Sequence, residues 1–111
     1  MIKVTCEVKN SQIASLEIKG HAQSAEPGQD LVCSAVSAVT FGGLNALRNT
    51  QQNLNVEVQE GYVLITRSGE VESADEVVLT TILTQLETIA RDYPKYVKIL
   101  QKGKLKQWFI H

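Results

Sequence analysis

Apolar and polar residues alternate one for one at the start of the chain. Ile2, Val4, Cys6 and Val8 share one face of an extended segment, and Lys3, Thr5 and Glu7 share the other. A period of two predicts a half-buried strand. Asn10-Ser11 is a turn signal. Leu16 and Ile18 then point inward, so residues 1–19 read as a β-hairpin. Residues 21–30 show no period and contain Pro27 and Gly28, which marks a loop. From there the spacing becomes helical: Val32, Val36, Val39, Gly43, Ala46 and Leu47 recur on one side. Asp30 is placed to cap a helix running from Leu31 to Asn49. Gly42-Gly43 inside that helix costs roughly 1 kcal/mol per glycine relative to alanine. Such a cost is expected where the helix closely approaches a neighbouring backbone, that of the second helix or of the sheet.

The pattern then repeats. LNVEVQE and YVLITRS are two strands joined by a short turn at Glu60-Gly61. Ser73 to Glu76 reads SADE, a capping box with Ser73 as N-cap and Glu76 at the third helical position. The next helix carries Val78, Ile82, Leu86 and Ile89, widened by Leu79 and Leu83, and should end before Pro94. YVKILQK is a fifth strand. The order ββαββαβ, with its short hairpins, predicts an α+β two-layer sandwich: an antiparallel sheet with two helices covering one face.

Composition narrows the setting. The 111 residues are 43% hydrophobic, enough for one domain with its own core. A net charge near −1 creates no strong field toward nucleic acid or membrane, and 5% aromatic residues argue further against direct nucleic-acid binding. No segment has the roughly 18 consecutive apolar residues of a membrane span, and the first residues lack the apolar run of a signal peptide. We therefore expect a cytoplasmic protein whose two cysteines are free thiols. No Cys/His spacing of a zinc site and no phosphate-binding glycine loop is present, so no metal or other cofactor is expected.

Chemistry is concentrated in GHAQSAEPGQDLVCSAVS, Gly20 to Ser37. With Asp30 as cap, Cys33 falls at the third helical position, where the helix dipole and unpaired N–H groups favour a thiolate. His21 comes directly after the second strand, at the far end of the loop. Loop closure alone would bring its imidazole to the thiol. A Cys–His pair is the minimum equipment for covalent acyl transfer. His21 would take the thiol proton and return it to the leaving amine. The same residues also fit an inert buried cysteine and a structural histidine. Cys6, between Val4 and Val8, reads as core. Asp30 either caps the helix or orients His21. Ser37, one turn after Cys33, either bonds near the thiol or faces solvent.

The stretch GHAQSAEPGQDLVCSAVSAV resembles the signature of the ribosomal-processing cysteine protease (Prp) family. Gly20, His21, Gly28, Asp30, Val32, Cys33 and Ser37 meet that signature. LETIARDYP, Leu86 to Pro94, is similar to the end of the family's second helix, and the likeness extends to about Ile99. It implies a single cysteine protease domain over residues 1–100. It implies a cytoplasmic bacterial endopeptidase that removes the N-terminal extension of a large-subunit ribosomal protein precursor, supporting ribosome assembly. His21 and Cys33 match the catalytic positions, Gly20, Gly28, Asp30 and Ser37 being available to bind or orient substrate. It further implies a homodimer and a loop, here residues 22–29, that opens to admit a peptide. Exposed strand edges would suit an extended peptide added as a further strand.

Residues 101–111 fall outside the likeness and form a C-terminal tail or edge strand. Lys102, Lys104 and Lys106 lie beside Leu105, Trp108 and Phe109. Charged guards on an edge strand explain this pattern, as would an arm that touches RNA or a partner. Two further functions stay open on the residues alone: a non-enzymatic ribosome-associated binding module, and a redox-sensing thiol at Cys33.

Overall fold

The computed structural model describes residues 1–20, 29–48 and 52–105. Five strands and two helices run in the expected order: β1 (Ile2–Lys9), β2 (Gln12–Lys19), α1 (Gln29–Ala46), β3 (Leu54–Gln59), β4 (Tyr62–Arg67), α2 (Ser73–Asp92) and β5 (Val97–Lys102). The strands form one sheet in the order β3-β4-β2-β1-β5. Three of the four ladders are antiparallel: the two hairpins and the β2–β4 pair that joins them. The fourth is parallel: β5 returns beneath α2 and pairs Ile2 with Val97 and Glu7 with Lys102. A helix between strands is long enough to permit that direction, whereas a two-residue turn is not.

The first hairpin turn uses a backbone geometry that suits its residues. Asn10 and Ser11 adopt φ of 55° and 62°, the left-handed pair of a tight hairpin turn. Alternation along β1 holds, with Ile2, Val4 and Cys6 buried. In β2 the buried set changes parity, from Ile13 to Leu16 and Ile18. A bulge explains it. Glu7 pairs with Ser15 but Val8 with Ile13, so Ala14 has no opposite residue and the chain before it turns over.

One core lies between the sheet and the helices. It joins Val4, Leu16 and Ile65 of the strands to Val32 and Val36 of α1 and to Leu79, Ile82, Leu83 and Leu86 of α2. Truncating any of these leucines to alanine would cost about 2–5 kcal/mol. No helix among the described residues is long and apolar enough to cross a membrane.

Three local expectations are corrected. Gly43 of α1 does meet the second helix, but through the Ile82 side chain and not a backbone. Gly42 has open space around it. The capping box does not form. Helix α2 begins with Ser73 already inside it, after Glu72, and no side chain caps it. Glu76 reaches Arg67 of β4 in an ion pair instead, and the same Arg67 donates from Nε to the Ile13 carbonyl at 2.9 Å. Helix α1 stops at Ala46, short of Asn49. The Arg48 N–H that would continue its ladder is given to Asp75 Oδ1 at 2.9 Å.

Candidate active site

The chain approaches the candidate site from the end of β2. Gly20 has φ of +110° and donates its N–H to the Gly61 carbonyl at 2.9 Å. A side chain there would collide with the Met1 carbonyl. Glycine is required by both the dihedral and the space. This sets the point and direction at which the chain leaves the sheet toward His21. His21 and Gly28 themselves lie outside the described residues, as does the loop 22–29 apart from the backbone of Gln29.

On the other side of the loop, α1 begins at Gln29, two residues earlier than expected. Asp30 is therefore inside the first turn and not the residue before it. Cys33 becomes the fifth helical residue. Its own N–H is engaged within the helix, so the unpaired N–H groups at the helix start belong to the residues that precede it.

Val32 and Val36, at 2% and 4% exposure, anchor this end of α1 in the core. Cys33 is the next residue round the helix from Val32. It packs against the rim of the core and stays half-buried. Leu31 is exposed, and Ser37 is exposed one turn beyond Cys33. The thiol thus sits where α1 passes from core to solvent.

The second thiol provides the contrast. Cys6 is fully buried in β1, between Val4 and the bulge. Burial pushes its pKa up to about 11, helped by the negative charges of Glu87 and Glu7. Such a thiol is protonated at neutral pH and closed to a peptide. Neither cysteine is in a disulfide, and only Cys33 combines accessibility with a position near a helix start.

Two groups at the opposite end of the fold, where α1 stops and α2 begins, gave no signal in the sequence. Asp75 is fully buried and ties the end of α1 to the start of α2. Arg67 joins β4, the first hairpin and α2. The Asp75 and Arg67 hydrogen bonds to Arg48 and Gln12 span 27 and 55 residues along the chain, beyond the reach of any local pattern.

Comparison with known proteins places this arrangement. The sequence model of the family described as cysteine protease Prp matches residues 1–98. The ribosomal processing cysteine protease Prp of Bacillus subtilis strain 168 is 34% identical, over 89% of this chain and 96% of that protein. Its namesake in Mycoplasma pneumoniae is 32% identical over 80% of this chain and 88% of its own. Among solved structures, the essential ribosomal processing protease Prp from S. aureus, in complex with a covalently linked product peptide, superposes with a TM-score of 0.79. It is 28% identical, and the match covers 92% of this chain and 100% of that one. The fold, the chemistry-bearing stretch and these matches agree: this chain belongs to the cysteine protease Prp family.

Proposed function

We propose that this chain is a cysteine endopeptidase that removes the N-terminal extension of a large-subunit ribosomal protein precursor. Cys33 is its nucleophile and His21 its general base and acid. The observation that carries the residue assignment is the contrast between the two thiols. Cys33 is half-exposed near a helix start, while Cys6 is sealed in the sheet. The substrate class rests on the ribosomal-processing relatives and on the S. aureus Prp complex with a substrate peptide.

In the proposed reaction His21 removes the Cys33 proton and the thiolate attacks the scissile carbonyl carbon. The C–N bond breaks as the protonated imidazole returns that proton to the departing amine, leaving a thioester on Cys33. His21 then takes a proton from water. The hydroxide equivalent attacks the thioester, releasing the acid product and the thiol. Gly20 directs the chain into His21. Gly28, Asp30 and Ser37 serve to orient the pair or to hold the peptide. The protease domain comprises residues 1–100 with the tail appended, acting in the cytoplasm as a homodimer.

Incubation with the extended ribosomal precursor tests the reading. Cleavage is expected to fall to background in Cys33→Ala and in His21→Ala. Undiminished cleavage by Cys33→Ala would overturn it.

A further inference from the structure

Ile2, Val4, Ile18 and Val97 turn one face of the sheet toward the helices, and the residues between them point to the other face. On that open face the register gathers one kind of charge. Lys3 of β1 stands opposite Lys98 of β5 on one side and opposite Lys19 of β2 on the other. Tyr62 of β4 continues the row beyond Lys19. The three lysines are exposed, and none is ion-paired with a described residue. Neighbouring strands are about 4.8 Å apart, so three ammonium groups and an aromatic ring follow one another across four strands.

The carboxylates of this face stand in other rows. Glu17 is opposite Thr5 and Leu64, Glu57 is opposite Leu64, and Glu7 is opposite Lys102. Like charges directly opposite one another destabilise a pair of strands, so the lysine row costs the fold stability. Lysine guards an edge strand against aggregation, which accounts for Lys98 of β5. Strands β1 and β2 are interior, and Lys3 and Lys19 guard no edge. The net charge near −1 averages over this row; only the strand register brings positions 3, 19 and 98 together.

We propose that this row binds the backbone of a single-stranded nucleic acid, with Lys3, Lys19 and Lys98 on its phosphates and Tyr62 stacked on a base. A positive track beside an aromatic platform is the equipment such a strand needs. Tyr62 donates its hydroxyl to Glu17 Oε2 at 3.1 Å, which holds the ring at the end of the row. An acidic peptide would use the lysines and leave the ring without a role. Lys19 precedes Gly20, so the bound strand lies at the end of the sheet where the chain leaves toward His21. The surface is separate from the thiol and does not depend on peptide cleavage.

The test is the fluorescence anisotropy of a labelled oligouridylate of about twelve nucleotides, titrated with the whole chain between about 50 and 200 mM salt. The logarithm of affinity is expected to fall against the logarithm of salt with a slope of about −2, roughly −0.7 for each phosphate neutralised. Lys3→Gln combined with Lys98→Gln should bring the slope to about −0.7. Lys9→Gln combined with Lys102→Gln removes the same charge elsewhere and should leave the slope unchanged. All four lysines are exposed, so circular dichroism should show the fold intact. Tyr62→Leu should weaken binding roughly tenfold at an unchanged slope. Absence of binding at the lowest salt would overturn the proposal, as would equal losses in the two lysine pairs or full binding by Tyr62→Leu. So would an oligoglutamate of the same length that competes as well as unlabelled oligouridylate, which would assign the row to an acidic peptide.

Discussion

Ile82 of α2 occupies the space that a Cβ on Gly43 of α1 would need, while nothing lies near the corresponding position on Gly42. Two adjacent glycines in one helix thus have opposite value. Gly42→Ala should stabilise the protein by about 0.5–1 kcal/mol, through helix propensity and a less flexible unfolded chain. Gly43→Ala should destabilise it by about 1–3 kcal/mol, since Ile82 is itself buried and must be displaced. Urea denaturation of the two variants checks the sign of each. Equal effects would mean that the helices do not pack through Gly43.

The two cysteines should separate by reactivity. Iodoacetamide near neutral pH is expected to label one thiol per folded chain, and none in Cys33→Ala. Peptide mass spectrometry identifies the labelled residue. Label on Cys6 before unfolding would contradict its burial in β1.

Cys6 also predicts a pH dependence. Its pKa is raised from 9.0 to about 11 in the folded state. Between those values the unfolded chain has lost a proton that the folded chain retains. Stability should therefore be level in this respect below pH 9 and fall as pH rises toward 11, by about 2–3 kcal/mol in all. Cys6→Val keeps an apolar side chain of similar size and cannot titrate. Chemical denaturation across that range should show the decline flattened in the variant.

Asp75 holds the end of α1 through the Arg48 N–H. Asp75→Ala removes that acceptor and a carboxylate from the first turn of α2, at a cost of about 1–3 kcal/mol. Hydrogen exchange should accelerate at the Arg48 amide before it does so in the sheet. An unchanged Arg48 amide would show that another group holds the helix end.

Gly20→Ala should lower both stability and cleavage. Its φ of +110° and the nearby Met1 carbonyl leave an alanine no relaxed position. A shift of the β2 exit displaces His21 relative to Cys33. We expect a lower melting temperature together with a reduced kcat/KM on the ribosomal precursor. Full activity at a temperature where the variant is folded would show that the exit geometry does not set the position of His21.

Strand and helix boundaries were legible in the sequence to within a few residues because their causes are local. Alternation of Ile2, Val4 and Cys6 and the helical recurrence of Val32 and Val36 depend only on residues a turn or two apart. The stretch from Gly20 to Ser37 was legible for the same reason: its chemistry is carried by residue types at short spacing.

Tertiary structure decided the rest, and in each instance the determining partner is outside the local pattern. SADE satisfies a capping rule, yet Glu76 turns to Arg67, a charge brought alongside by β4. Asp75 ends α1 from the far side of two strands. The bulge that turns Ile13 inward depends on its pairing with β1. The separation of the two thiols is the most consequential of these. By itself the sequence determined that one cysteine lies on an alternating strand and the other near a helix start after a glycine-bearing loop. Closing the sheet and packing α1 on α2 decided that Cys6 is sealed at the centre and Cys33 rides the rim, because burial is a property of the assembled layers and not of the segment.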